Sequence, residues 1–227
     1  MKKIKYLLLP FLLLQLFIVT AAEKNFIFTE GSWDLNDFIQ VKSPRWAHLG
    51  TWEQEKDHIW NTVPKDASEA EMLSKRAGET YSSLLWKEKI ADAKIIEISS
   101  EMSFDHRMAP LLVIAPEIGE DANGSPEYRE HWEIVLYDKG LNVWHHMFDN
   151  GKPHWYKAAS ILQDFPAKEK IKVTVIIKLN GKVPSIEVKA GNHNLHYAEL
   201  ALPKSFYVGF TGCEGINRFY DFKVKYK

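Results

Sequence analysis

From residue 94 onward the chain repeatedly alternates apolar and polar positions with a period of two. In Lys94 to Phe104, Ile96, Ile98, Met102 and Phe104 fall on one side, and Glu97, Ser99, Glu101 and Ser103 on the other. Successive side chains of a strand point to opposite faces, so this pattern predicts a half-buried strand. Leu111 to Ile114 reads as a short apolar strand bounded by Pro110 and Pro116. Glu117 to Pro126, with Gly119 and Asn123-Gly124, reads as a loop. Arg129 to Tyr137 separates Trp132, Ile134 and Leu136 from Arg129, His131, Glu133, Val135 and Tyr137. Asp138-Lys-Gly140 turns the chain into a strand over Leu141 to Phe148, and Asp149-Asn-Gly151 turns it toward Trp155 to Ile161. Ile171 to Leu179 alternates again, Asn180-Gly181 is a hairpin signal, and Ser185 to Lys189 returns. Phe206 to Thr211 and Phe219 to Tyr226 close the series.

Only Ala67 to Lys89 departs from this rhythm. Ser68 and Glu71 match a capping box, and Met72 to Ala77 continues as a turn or two of helix. The rest amounts to about ten strands, most with one polar and one apolar face. That pattern predicts an all-β chain of two packed antiparallel sheets, a β-sandwich.

The first residues change the picture of where the chain works. Lys2, Lys3 and Lys5 precede a nearly unbroken apolar run from Tyr6 to Val19, followed by Thr20-Ala-Ala22. This is the layout of a secretory signal peptide, with cleavage expected after Ala22. The run falls short of the roughly 20 apolar residues a spanning helix needs, and Pro10 interrupts it. Residues 1–22 are therefore expected to be a signal peptide and 23–227 one domain. The mature chain is expected to be a soluble monomer in the periplasm or outside the cell, with no membrane insertion.

Cys213 is the sole cysteine, so no internal disulfide exists, and a structural thiol is its default role. Basic and acidic residues number 29 and 30, leaving no global field to attract nucleic acid or an anionic membrane. Aromatic residues are abundant: 8 Trp, 9 Tyr and 12 Phe, more rings than packing alone requires. Exposed rings of this kind suit the apolar faces of sugars.

The C-terminal run Phe206-Tyr-Val-Gly-Phe-Thr-Gly212, followed by Asn217-Arg-Phe-Tyr-Asp-Phe-Lys-Val224, resembles the closing strands of concanavalin A-like lectin/glucanase jelly rolls. Gly50-Thr-Trp-Glu53 and Asp57-His-Ile-Trp-Asn61 are similar to the Trp-bearing opening strands of such sandwiches. The resemblance implies a concanavalin A-like jelly roll whose partner is a polysaccharide or oligosaccharide, handled by binding, hydrolysis or elimination. Sandwiches of this kind often carry a structural calcium, for which Glu30 and Asp221 are the candidate oxygen donors; the alternative is that Asp221 caps or pairs locally, and no other cofactor is expected.

The glucanase pattern of acids on one strand is incomplete here. Glu127, Glu130 and Glu133 surround His131-Trp132, but Glu130 and Glu133 are three apart and face opposite sides of a strand. They cannot both reach one bond across the roughly 5–5.5 Å of a retaining mechanism. A lyase site would need Arg, Asn, His and Tyr together, and the resemblance supplies those types as Arg129, His131, Asn142, His145, His146 and Tyr156. The expected acid–base residues are His131, Glu133, His145 and Tyr156. The expected glycan contacts are Arg129, Asn142, Trp144, Trp155, Lys157 and Arg218. Burying so polar a strand face dry is costly, so a wet cleft is expected. His131 and Glu133 share a face and would chelate a metal if His145 or His154 supplied a third ligand. The competing expectation is a structural or adhesion protein of the envelope, its polar residues scattered and its sandwich used for protein contacts.

Overall fold

The computed structural model describes residues 21–45, 50–62, 82–105, 108–149 and 152–227. The capping box at Ser68 and the short helix after it lie outside these residues, as do residues 1–20.

The described chain is almost entirely β. It runs β1 (Ala22–Ile27), a 3₁₀ turn (Leu35–Asp37), β2 (Phe38–Gln40), β3 (Trp52–Gln54), β4 (Ile59–Asn61), β5 (Ser82–Trp86) and β6 (Ile90–Ala91). The long central strands follow: β7 (Ile95–Phe104), β8 (Met108–Glu120), β9 (Pro126–Tyr137), β10 (Gly140–Asp149) and β11 (Lys152–Leu162). The chain closes with β12 (Ile171–Lys178), β13 (Ser185–Ala190), β14 (His193–Ala198), β15 (Ser205–Gly212), β16 (Asn217–Phe219) and β17 (Asp221–Tyr226).

These strands form two antiparallel sheets. One has nine strands in the order β14-β13-β12-β7-β16-β4-β3, with β17 joining β7 to β1. The other has eight, β11-β10-β9-β8-β15-β5-β2, with β6 on β15. Their inner faces meet in one core, where alternation along β7, β9 and β12 delivers Ile96, Ile98, Phe104, Trp132, Ile134, Leu136, Val173, Val175 and Ile177. Phe26, Phe38, Phe210, Phe219 and Phe222 knit its centre, with Phe210–Phe219 centroids 4.8 Å apart. Burying each such side chain contributes about 1.5–3 kcal/mol, and with no disulfide this core holds the fold. Trp52 belongs to it, meeting Phe210 edge-on at 5.5 Å.

Several strands differ from the sequence reading for physical reasons. Ser82–Trp86, inside the stretch that broke the alternation, is the strand β5, buried on both faces and therefore without a polar–apolar period. β8 is not a four-residue strand stopped by prolines; it runs through both. Its register slips between Met108 and Leu111 and between Ile114 and Glu117, so Pro110 and Pro116 sit in irregularities that spare the missing N–H. The expected loop after Glu117 shrinks to a tight turn, in which the Asp121 carboxylate accepts from the Asn123 and Ser125 N–H groups. β14 was not expected at all, and it sits at a sheet edge with alternate residues exposed.

Glycine fixes two close approaches. Gly140 has φ +152, and a Cβ there would lie 2.0 Å from the Ile161 carbonyl oxygen, so the β9–β10 turn tucks against β11. At Gly209, in the middle of β15, a Cβ would lie 2.0 Å from the Leu84 carbonyl oxygen.

Candidate functional site

The β9–β10 hairpin sets which residues meet. Tyr137 pairs with Gly140, and each step outward from that turn pairs Glu133 with Trp144, Trp132 with His145 and His131 with His146. β11 continues the row, placing Trp155 beside His146 and Tyr156 beside His145. Directly paired residues share a face. His131, Glu133, Asn142, Trp144, His146, Trp155 and Lys157 therefore lie on the outward face of the eight-stranded sheet. Trp132, Glu130, His145 and Tyr156 lie on its inward face. The four expected acid–base residues are divided between the two sides.

On the outward face, five flat groups stack in a column across three strands. The Tyr128 ring lies 4.2 Å from His131, and His131 lies 4.6 Å from His146 with only 9° between the planes. His146 continues to Trp155 at 6.4 Å, and the Arg45 guanidinium caps Trp155 at 4.3 Å. The Glu133 carboxylate reaches both histidines. Its Oε1 is 3.1 Å from His131 Nε2, and its Oε2 is 3.0 Å from His146 Nε2. The second contact lacks the alignment of a hydrogen bond, and neither Nδ1 has a partner. Tyr128 anchors the column from below, its hydroxyl sharing a hydrogen bond with Ser83, which shares another with Thr211.

The centre of this face is closed instead of wet: His131, Glu133 and His146 are 0%, 7% and 1% exposed. Burial lowers the His131 pKa to about 4, although Glu133 beside it acts to raise it. Burial alone would raise the Glu133 carboxyl, but His146 and His131 outweigh it and hold it well below its ordinary value. The polar groups that reach solvent are at the rim: Trp155 is 47% exposed, Lys157 is exposed beside Trp144, and Arg45 is half-buried. Asn142 lies further along the face, its Oδ1 buried without a partner.

The inward-face group is different. His145 joins Glu130 through Nε2 at 2.7 Å and the Tyr156 hydroxyl through Nδ1 at 2.9 Å. It stacks on Trp132 at 4.0 Å, whose indole N–H donates to Glu199. Burial, with Glu199 and Glu130 nearby, raises the Tyr156 pKa and keeps the phenol protonated. This cluster closes the side of the sandwich where β11 and β14 approach.

The remaining expected residues lie elsewhere. Arg129, on β9, pairs with Glu127 at 2.8 Å and donates to the Glu120 carbonyl. Arg218 is on the other sheet and grips Asp105 with both terminal nitrogens, so it contributes nothing to the β9–β11 face. The loop it borders is pinned by buried amides, Asn217 donating to the Cys213 carbonyl and Asn61 to that of Gly215. Asp221 spends one carboxylate oxygen on the Glu101 N–H at 2.7 Å and the other on Lys223 at 2.8 Å. An ammonium stands where calcium would require oxygen, and Glu30 is an exposed turn residue; the pair does not fit a calcium cage.

Sequence reasoning missed Arg45, which comes from a loop distant in the chain, and the Tyr128–Ser83–Thr211 anchor. It placed His146 in the polar region but looked to His145 or His154 to complete the His131–Glu133 pair. Counting outward from the Asp138-Lys-Gly140 turn would have found it.

No family model and no curated protein matches this sequence. Solved structures do match. Peanut lectin bound to a nine-residue peptide aligns over 92% of this chain and 98% of its own, at 13% identity and a TM-score of 0.56. The metal-free carbohydrate recognition domain of Emp46p aligns over 88% and 94%, at 13% identity and a TM-score of 0.59. The carbohydrate-binding module CBM66 from Bacillus subtilis aligns over 81% and 91%, at 10% identity and a TM-score of 0.51. At these identities the likeness speaks for architecture. With its two antiparallel sheets and the strand order above, this chain has the concanavalin A-like jelly-roll fold of the lectins.

Proposed function

We propose that the protein is exported, loses residues 1–22 as a signal peptide, and binds a polysaccharide or oligosaccharide as a monomer. The binding surface is the outward rim of the eight-stranded sheet, where β11 meets Arg45. One observation carries this reading: Trp155 is about half exposed yet fixed in place, with Arg45 on its ring and His146 behind it. A fixed indole edge beside a guanidinium offers apolar contact to sugar C–H groups and forked donors to hydroxyl or carboxylate oxygens. Trp144 and Lys157 extend the same rim. The lectin and carbohydrate-binding neighbours agree with this use of the fold, and fold alone does not dictate it.

Binding is favoured over hydrolysis or elimination because His131 and Glu133 lie on one face of the sheet and His145 and Tyr156 on the other. A single bound glycan does not meet all four. The test is affinity gel electrophoresis and a glycan array covering plant, algal and host polysaccharides, run beside reducing-sugar and unsaturated-product assays. Binding with silence in both enzymatic assays is the expected result. Failure to retain any polysaccharide would overturn the proposal.

A further inference from the structure

We propose that His131, Glu133 and His146 form a binding site for one zinc ion. The proposal rests on donor geometry and stands apart from the glycan reading.

Among the described residues, these are the one group of three or more metal-ligating side chains whose donor atoms all lie within 4.8 Å of one another. The carboxylate oxygens are 3.0 and 3.1 Å from the two Nε2 atoms. A tetrahedral zinc with bonds of about 2.0–2.1 Å separates neighbouring ligand atoms by about 3.3 Å, close to both of these oxygen–nitrogen separations.

The second observation is an unmet demand. His146 is 1% exposed, yet neither ring nitrogen has an aligned hydrogen-bond partner, and His131 Nδ1 is equally bare. Buried polar atoms left in this state are rare and ask for an explanation. The contrast with His145 is direct: equally buried, it has both nitrogens satisfied, by Glu130 and Tyr156. Other buried polar atoms lack a partner, His58 Nε2 among them, but only at His131 and His146 do such nitrogens stand beside a shared carboxylate among the described residues. A cation drawing on the two Nε2 atoms would meet that demand at His146, where the present contact is misaligned.

The donor set selects the ion. Two imidazoles and one carboxylate suit zinc and its borderline neighbours, whereas calcium and magnesium ask for oxygen throughout. The rings are nearly parallel, so chelation requires each to turn about its χ2 toward a common point. Arg45 places a positive charge near His131 and opposes the ion. Three protein ligands leave a fourth position for water.

The test uses the purified chain without a histidine tag, stripped with chelator and titrated with zinc chloride by calorimetry. One zinc per chain is expected, with H146Q and E133Q each weakening it more than about 100-fold, since even outer-shell changes cost 10–100-fold. Circular dichroism of both variants in chelator checks that they fold. Should they not, cobalt(II) added to the unaltered chain decides. Intense visible bands of a four-coordinate ion support the site, and the weak bands of a six-coordinate ion overturn it. Absence of stoichiometric zinc binding, or binding unchanged in folded H146Q and E133Q, also overturns the proposal.

Discussion

The Glu133 carboxylate bridges the edges of two stacked imidazoles, with Oε1 3.1 Å from His131 Nε2 and Oε2 3.0 Å from His146 Nε2, in a place closed to solvent. This arrangement makes the carboxylate the organising charge of the outward face. Glu133→Ala would leave the buried His131 ring without its hydrogen-bond partner and remove the charge beside His146. A loss of about 3 kcal/mol in stability is expected from urea unfolding, toward the upper range for removing one partner of a buried polar pair.

The same burial sets a pH dependence. His131 titrates near 4 in the fold, against 6.5 in the unfolded chain, because burial disfavours its charged form. Its folded pKa is depressed, so the unfolded state takes up the proton first. The stability it contributes is whole above pH 6.5 and is lost as pH falls toward 4, by about 3 kcal/mol in total. Glu133, held below its ordinary value, extends the loss to lower pH. Unfolding measured in chelator at a series of pH values should show this slope, and H131F should flatten it between 6.5 and 4.

Tyr128 stacks on His131 and is itself anchored by hydroxyls, with Ser83 at 2.5 Å and Thr211 2.6 Å beyond. Burial raises its pKa, so it remains a phenol across the accessible range. Y128F should cost about 1–2 kcal/mol by leaving the Ser83–Thr211 pair short of a partner, measured by thermal unfolding.

Gly140 is where the hairpin register is decided, and it admits no side chain. With φ +152 and a backbone oxygen 2.0 Å from where a Cβ would sit, G140A should destabilise by more than about 3 kcal/mol. An unfolding midpoint within error of the unaltered chain would show that the turn adapts.

These particulars show how far the sequence could be read. Alternation named the inward side of β7, β9 and β12 correctly, because a half-buried strand cannot slip by one residue without exposing its core face. What alternation could not supply was contact across distance. Arg45 reaches Trp155 from more than 100 positions away, and Arg218, expected at the glycan, pairs instead with Asp105, equally far off in the chain. The prolines of β8 misled for a different reason: a bulge absorbs a missing donor, and bulges leave no mark in a two-residue period.

The central claim is that sugar meets the outward rim, and comparison of two neighbouring residues on β11 tests it most directly. Trp155 and Tyr156 are both about half exposed but point to opposite faces of the sheet. On the oligosaccharide that the array identifies, calorimetric affinity should fall at least about tenfold (~1.4 kcal/mol) in W155A and change less than about twofold in Y156F. Equal losses in both, or a loss in Y156F alone, would contradict the account.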